Sequence, residues 1–379
     1  MMHKKSLAAL VATLFAVPFA AHADVTIYGF LSSGLESTKA TGAANGVNYN
    51  SRTRVTDNNS RIGFKGTEDL GNGTKAIWQV ESSLRNFENG GTNDKGQTAT
   101  FATRNSFVGL DNASFGKVLV GQNDSAYKTL TSVNINLFGD TTAENNGAAS
   151  VFSRGEARLT NSVHYFSPNW AGFQVGASYG VDEARTSGTN KNRISVAGNY
   201  TNGGLIAALG YDRQNDTGLA NAGGTAVATV AGQATTYTKL AASYKFATGT
   251  LIGAGYEFGR YGTAAGSDLK QDDWTVSLSQ DYGAATFKLE YSQLGQLRGV
   301  SNPDDFKAKQ WTVGAYYALS KATTVFTYYT KINNNKSQNA NFANNAVYST
   351  AFSASPAVSA ALDKGNDPQA FGVGLKVAF

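Results

Sequence analysis

The sequence predicts an all-β fold: a sixteen-stranded antiparallel β-barrel that spans a membrane. Three observations predict it. Apolar and polar residues alternate with a period of two in segment after segment, the period of a strand with two unlike faces. The connections between these segments are short and long in turn. No stretch after residue 23 approaches a run of 18 apolar residues, which argues against a membrane helix.

The chain opens on MMHKKSLAALVATLFAVPFAAHA. Lys4 and Lys5 precede an apolar run from Leu7 to Ala21, and Ala21-His22-Ala23 supplies a small-residue cleavage site. This predicts a secretory leader over 1–23, removed on export. The apolar run is shorter than the roughly 20 residues that cross a bilayer as a helix. Residues 24–379 then form a single barrel domain, with VTIYGFLSSGLE (25–36) as its first strand. Short turns are expected at 70–73, 111–116, 167–172, 201–204, 247–249, 281–283 and 320–323. They carry Gly for positive φ, Asn and Asp for local capping and Pro for a fixed φ. Long connections rich in Asn, Gly, Ala, Thr and Ser fall near 37–57, 87–98, 124–157, 182–192, 214–235, 262–270, 297–305 and 333–367. Seven short and eight long connections join sixteen strands, so both termini belong to the short-turn side.

The faces decide between a soluble sandwich and a barrel. FQVGASYGV (173–181) sets Phe173, Val175, Ala177, Tyr179 and Val181 against Gln174, Gly176, Ser178 and Gly180. QWTVGAYYAL (310–319), TFKLEYSQL (286–294) and WTVSLSQ (274–280) repeat the pattern. In an outer-membrane barrel the apolar face meets lipid, the polar face lines water, and short periplasmic turns alternate with long extracellular loops. Backbone groups in lipid must pair internally, so the sheet has to close. The terminal strand FGVGLKVAF (371–379) is therefore expected to pair with the first, with Phe379 facing outward at the lower membrane interface.

Composition excludes several functions. Removing Lys4 and Lys5 lowers the formal charge from +5 to +3, and no basic run has interleaved aromatics, so a nucleic-acid partner is not expected. The chain has no Cys, and His164 is the one histidine outside the leader. That weighs against disulfides, thiolate metal sites and histidine metal sites. No zinc or EF-hand spacing and no nucleotide-binding glycine loop is present, so neither a metal nor a cofactor is expected.

Several stretches carry a family likeness: DVTIYGFLSSGLE (24–36), SRIGFKGTEDLGNGTKAIWQVE (60–81), RNSFVGLDNASFGKVLVGQND (104–124), NSVHYFSPNWAGFQVGASYG (161–180) and the terminal GVGLKVAF. Through these stretches the chain resembles the general diffusion porins of Gram-negative bacteria, most closely the beta-proteobacterial branch. The resemblance implies a homotrimer in outer-membrane lipid and lipopolysaccharide, and a third long loop folded inward to narrow a pore for ions and small hydrophilic solutes. It also implies that the barrel assembly machinery recognises the C-terminal Phe379.

Candidate pore residues follow from parity and from that likeness. In RIGFKG (61–66), Ile62 and Phe64 share the apolar face, so Arg61, Gly63 and Lys65 face the lumen. In TRNSFVG (103–109), Phe107 is assigned to lipid and Arg104 and Ser106 to the lumen. In RLTNSVHYF (158–166), Val163 and Tyr165 go outward, and Arg158, Ser162 and His164 inward. A charged side chain facing lipid costs about 2–4 kcal/mol at mid-depth, which forces such arginines inward. The resemblance makes Arg61, Arg104 and Arg158 a basic wall opposite the inward loop, with Arg85, Arg52 and Arg54 as weaker members. Loop segment NLFGDTTAENNG (136–147) matches the family's loop tip at Phe138 and Gly139, with Asp140 and Glu144 as its acids. Asn136 and Leu137 stand where Pro and Glu are expected, which depletes the acidic side and leans selectivity towards anions. The competing reading pairs each arginine with a wall carboxylate such as Glu81. Rival functions are an enzyme built on His164 and Ser162, which lacks a nucleophile elbow, a substrate-specific channel, and a plugged or adhesive barrel.

Overall fold

The alternation closes on itself. The computed structural model describes residues 24–84, 101–183, 188–219, 228–347 and 362–379; the segment 1–23, expected to be a leader, lies outside them. Among the described residues, seventeen strand segments form one sheet in which the last strand pairs with the first. They are β1 Asp24–Thr41, β2 Tyr49–Asp57, β3 Arg61–Gly71, β4 Thr74–Ser83, β5 Ser106–Asn112 and β6 Gly116–Asp124. A short helix, α1 Ala126–Thr131, follows. Then come β7 Arg158–Phe166, β8 Phe173–Gly180, β9 Arg193–Asn202, β10 Leu205–Gly218, β11 Ala228–Lys245 and β12 Thr250–Tyr261. The set ends with β13 Leu269–Tyr282, β14 Ala285–Leu294, β15 Ala308–Ala318, β16 Thr323–Asn334 and β17 Asp367–Ala378.

These segments make a closed barrel of sixteen spans, because β2 and β3 are two halves of one. β1 pairs with both, with Ser33 opposite Asp57 and Phe30 opposite Arg61. The break is Asn58-Asn59-Ser60, where Asn59 takes a left-handed φ of 60°. Ser60 fills the gap in the ladder. Its Oγ accepts the Ser32 N–H at 2.9 Å and donates to the Ser32 carbonyl at 3.1 Å. Such an irregularity redirects a strand while keeping its polar groups paired.

All seven short turns fall where turn chemistry puts them. Asn72 and Gly73 have φ of 52° and 71°, the type I′ pattern that suits a tight hairpin. Strand lengths depart from expectation on the long-loop side. β1 runs to Thr41, and β10 and β11 pair out to Gly218 opposite Ala228, inside the segment read as loop. Small and polar residues there still pair their backbones, so composition understates strand length.

The sheet is apolar outside and polar inside. Val108, Leu209, Leu240, Ile252, Phe287 and Val373 are exposed on its outer surface, whereas Ser195, Ser243, Thr275, Ser292, Thr312 and Thr330 are buried within. Leaving one large apolar side chain in water forgoes about 1.5–3 kcal/mol of burial, so this surface belongs in lipid. Among the described residues no helix is long and apolar enough to cross a membrane. Closure runs from Phe30 opposite Ala378 to Thr41 opposite Asp367. Phe379 and Gly29 exchange both backbone hydrogen bonds at 3.0 and 3.1 Å, and the Phe379 ring is exposed on the outer face.

Candidate pore constriction

The connection between β6 and β7, here loop 3, enters the barrel and lies along its inner wall. It begins with Ser125, whose Oγ caps α1 by accepting the Lys128 N–H at 3.2 Å. Wall serines hold the exposed N–H groups of the helix start: Ala126 donates to Ser178 Oγ and Tyr127 to Ser195 Oγ, both at 2.8 Å. His164 stands behind them, fully buried, 2.7 Å from Ser178 Oγ and 2.8 Å from Ser162 Oγ. It braces the helix seat. Gly210 permits the close approach, since a Cβ there would lie 2.8 Å from Thr131 and 2.9 Å from Tyr127.

Past α1 the loop runs towards β17. Leu137 donates its N–H to Glu290 at 2.7 Å and its carbonyl accepts from Lys288 Nζ at 2.8 Å. Phe138 is buried in a cluster with Ala143, Phe326 and Tyr328, and Gly314 leaves the space its ring needs. The tip is Gly139-Asp140. There the Asp140 carboxylate meets Arg61, with Lys376 at 3.9 Å and Asn59 at 3.4 Å. The returning arm is tied to the wall at Gln310, which donates to the Ala143 carbonyl at 3.1 Å. Further ties are Asp273, which accepts the Ser153 N–H at 3.1 Å, and Glu257, which accepts the Gly155 N–H at 3.1 Å. Lys239, fully buried in β11, donates to Glu156 at 2.7 Å and to Ser153 Oγ at 2.6 Å. The wall of β3 to β7 adjoins the loop at its two ends: Arg61 of β3 meets the tip, and residues of β4 to β7 share a cavity with α1.

Arg61, Arg104, Arg158 and Arg54 each face a carboxylate, whereas Arg52 is exposed on β2 opposite Thr38. Arg61 meets Asp140 and stacks on the Phe30 ring at 4.6 Å. Arg104 meets Glu81, which also accepts from Tyr28 at 3.0 Å. Arg158 donates to Asn105 at 2.7 Å and lies 3.3 Å from Asp124. Arg54 meets Glu36. Arg85 falls outside the described residues.

Parity placed Arg104 inside for the wrong reason. Phe107 faces inward, lining a cavity with Gln79 and Asn105, while Val108 and Leu110 are exposed on the outer face. Residues 104–105 form a bend, so the alternation restarts at Ser106 and the register of β5 is offset by one. A one-residue offset exchanges the two faces.

The loop-tip acids play unlike parts. Asp140, with a left-handed φ of 69°, presents its carboxylate to the wall cations. Glu144 turns back into the loop. It accepts from Asn136 Nδ2 and from the Asp140 N–H, each at 3.1 Å, and from Asn344. Burial pushes its carboxyl up to about 7, and the neighbouring Asp140 adds to the rise.

Asn344 belongs to the connection between β16 and β17, which the sequence reading treated only as a long loop. It too enters the barrel. Asn341 donates its N–H to the Ala149 carbonyl at 3.0 Å and Asn345 donates to Thr142 Oγ1 at 3.2 Å. Arg54 donates to the Ala346 carbonyl at 2.7 Å. This last loop therefore rests on the tip of loop 3. The signal was present in NNNKSQNANFANN (333–345), a run whose amides both donate and accept.

A family model described as Gram-negative porin matches residues 6–337. The chain is 37% identical over 217 residues to major outer membrane protein P.IB of Neisseria meningitidis, covering 56% of this chain and 61% of that protein. It thus spans about three fifths of the length of the meningococcal relatives it matches. Its likeness to P.IB of Neisseria lactamica is 32% over 327 residues, 85% of this chain and 91% of that one. Among solved structures, an anion-selective porin from Comamonas acidovorans superposes with a TM-score of 0.72 at 25% identity, covering 94% of this chain and all of that one. The trimer form of OmpT from Vibrio cholerae, at 16% identity and a TM-score of 0.66 over 94% of this chain and 99% of that one, shares the fold. A closed sixteen-span barrel, an inward third loop and a family match over most of the length agree: the chain belongs to the Gram-negative porin family.

Proposed function

We propose that this chain is a general diffusion porin of the outer membrane, passing ions and small hydrophilic solutes passively with a weak preference for anions. The observation that carries the reading is the waist itself: a loop pinned inside a polar lumen, its tip acid set against Arg61 and Lys376. Solutes cross in water, and the wall sorts them by size and charge rather than by a chemical step. Guanidinium groups stay charged at any working pH. Arg61, Arg104 and Arg158, with Arg85 as a further member, therefore supply a lasting basic wall, and charged rings select by sign. Their carboxylate partners cancel much of that charge at a distance. The surplus comes from cations above aromatic rings, Lys65 over Tyr28 at 5.2 Å and Lys376 over Phe30 at 3.7 Å. A partly protonated Glu144 weakens the opposing side. Phe138 and Gly139 shape the tip.

The same proposal has three such barrels associate in lipid beside lipopolysaccharide, after the assembly machinery engages Phe379 and residues 1–23 are removed. It assigns no catalysis to His164, whose ring is sealed between two serines at the helix seat. Single-channel current across a planar bilayer under a salt gradient tests the reading. Stable conducting steps in groups of three, with an anion-signed reversal potential, are expected. Folded protein that does not conduct would refute the porin reading, and a cation-signed potential would refute the anion preference.

A further inference from the structure

The bend at Arg104-Asn105 is where the backbone ladders of this wall stop. β4 pairs with β5 only as far as Gln79 opposite Phe107, and β5 with β6 only as far as Ser106 opposite Gln122. Beyond them side chains take over. Gln122 Nε2 donates to the Arg104 carbonyl at 2.7 Å, and Gln79 Nε2 to the Asn105 carbonyl at 3.1 Å. The Asn105 carboxamide then uses both of its ends. Its Oδ1 accepts the Asp124 N–H at 3.2 Å and the Arg158 Nε–H at 2.7 Å, and its Nδ2 donates to Asp124 Oδ2 at 3.2 Å. Asp124 in turn holds Lys128 of α1 at 3.1 Å and lies 3.3 Å from Arg158. Alternation alone does not place Arg158, because the β6–β7 register shifts between Gly121 and Asn123 and Asn161 takes a left-handed φ of 50°. Its partners place it, and of these two Asn105 is the closer. The position calls for a side chain that both donates and accepts. An aspartate would set a second carboxylate oxygen against Asp124, and a leucine would satisfy neither neighbour. Asn105, Asp124 and Lys128 line a cavity of about 640 Å³ beneath α1, so the cluster borders the water space inside the barrel.

We propose that Asn105 is a positioning residue for charge selection: it fixes the Arg158 guanidinium at the root of loop 3 and keeps it from closing into a full ion pair with Asp124. The assignment rests on the porin reading above, and it adds a neutral residue to the charged ones that set the sign. The physical basis is competition for one cation. Asn105 Oδ1 engages the Arg158 Nε–H without cancelling its charge, while Nδ2 occupies one carboxylate oxygen of Asp124. With the amide gone, guanidinium and carboxylate are free to meet in the bidentate form their shapes favour. The field that Arg158 sends into the lumen is then largely cancelled at its source.

Reversal potentials of the folded barrel under a potassium chloride gradient test the proposal, with Asn105→Leu, Arg158→Gln and the double variant compared against the unaltered chain. Asn105→Leu changes no charge, yet should lower the chloride-to-potassium permeability ratio by about twofold, the size expected of one screened unit charge about 7 Å from the ion path. Arg158→Gln should lower it at least as far. Adding Asn105→Leu to Arg158→Gln should change nothing further, because Asn105 acts through the arginine and the two effects are not additive. Asn105→Ser guards against a folding defect in the leucine variant. Its hydroxyl stays beside the Asp124 N–H but is too short to reach Arg158, so it should reproduce the fall while β-sheet circular dichroism is kept. A potential unmoved in both Asn105 variants, or a fall of the same size with Arg158→Gln already present, would overturn the proposal. Unaltered barrels that pass no current would refute the porin reading and this assignment with it, whereas conducting barrels with an unmoved potential refute the assignment alone.

Discussion

Glu144 makes the waist pH-sensitive in a direction that can be worked out. Its carboxyl is lifted to about 7 by burial and by Asp140. Between pH 6 and pH 8 it passes from about one-tenth to about nine-tenths ionised. A unit charge about 7 Å from the ion path contributes about 0.6 kcal/mol in water. Screening at about 0.1 M salt halves that to about 0.3 kcal/mol. Anions lose and cations gain about eight-tenths of this amount, so the chloride-to-potassium permeability ratio should fall by about twofold as pH rises from 6 to 8. Docking of the last loop follows the same sign. A carboxyl whose folded value lies above its ordinary one contributes stability below the ordinary carboxylate range, lost as pH rises through about 7. Reversal potentials measured at several pH values give the ratio, and Glu144→Gln should flatten the curve near its acid limit. An unchanged pH dependence in Glu144→Gln, or an anion preference that grows with pH, would refute the assignment.

Other perturbations reach other parts of the waist. Asp140→Asn removes the acid facing Arg61 and Lys376 and should raise the anion preference by about twofold or more, read from the same reversal potentials. Asn344→Ala with Asn345→Ala removes two ties between the last loop and loop 3, and should increase current noise and mean conductance in single-channel records. Lys239→Met leaves Glu156 without its buried partner; loss of about 3–5 kcal/mol is typical for such a break, so loop 3 should become protease-sensitive while the barrel keeps its β-sheet circular dichroism. Deleting Phe379 removes two backbone hydrogen bonds at about 1 kcal/mol each. Refolding in detergent should change little, and yield in the outer membrane of cells should fall sharply.

Much of the frame was legible in the sequence because it depends on neighbours along the chain. Asn72-Gly73 specifies its own turn, and the run from Phe371 to Phe379 declares its two faces by parity alone. The parts that were not legible depend on partners far away or on a local break in phase. The bend at 104–105 inverted the reading of Phe107. The break at Asn58-Asn59-Ser60 divides a span whose first half, β2, falls wholly inside the connection read at 37–57. The contact of Arg61 with Asp140 joins residues 79 apart, and Asn344 reaches Glu144 across 200. Lys239 lies in β11, and no sequence signal singles it out. Only the folded loop shows that it is sealed behind Glu156. Sequence period gives the face of a side chain, and three-dimensional closure gives its partner.

The seam between β1 and β17 also sets an order of events. Had these strands to meet first, closing a loop of over 300 residues would cost about 5 kcal/mol of chain entropy. Growth by successive hairpins avoids that cost, since each short turn closes a small loop. The consequence is a waiting edge. The unpaired N–H and C=O groups of β1 stay exposed until the final dozen residues arrive, and an open edge in lipid or water invites the wrong strand. Losing a few residues from the end of the chain is therefore a different injury from losing as many from an extracellular loop. The first leaves an almost complete sheet that cannot seal; the second leaves a sealed one with an altered rim.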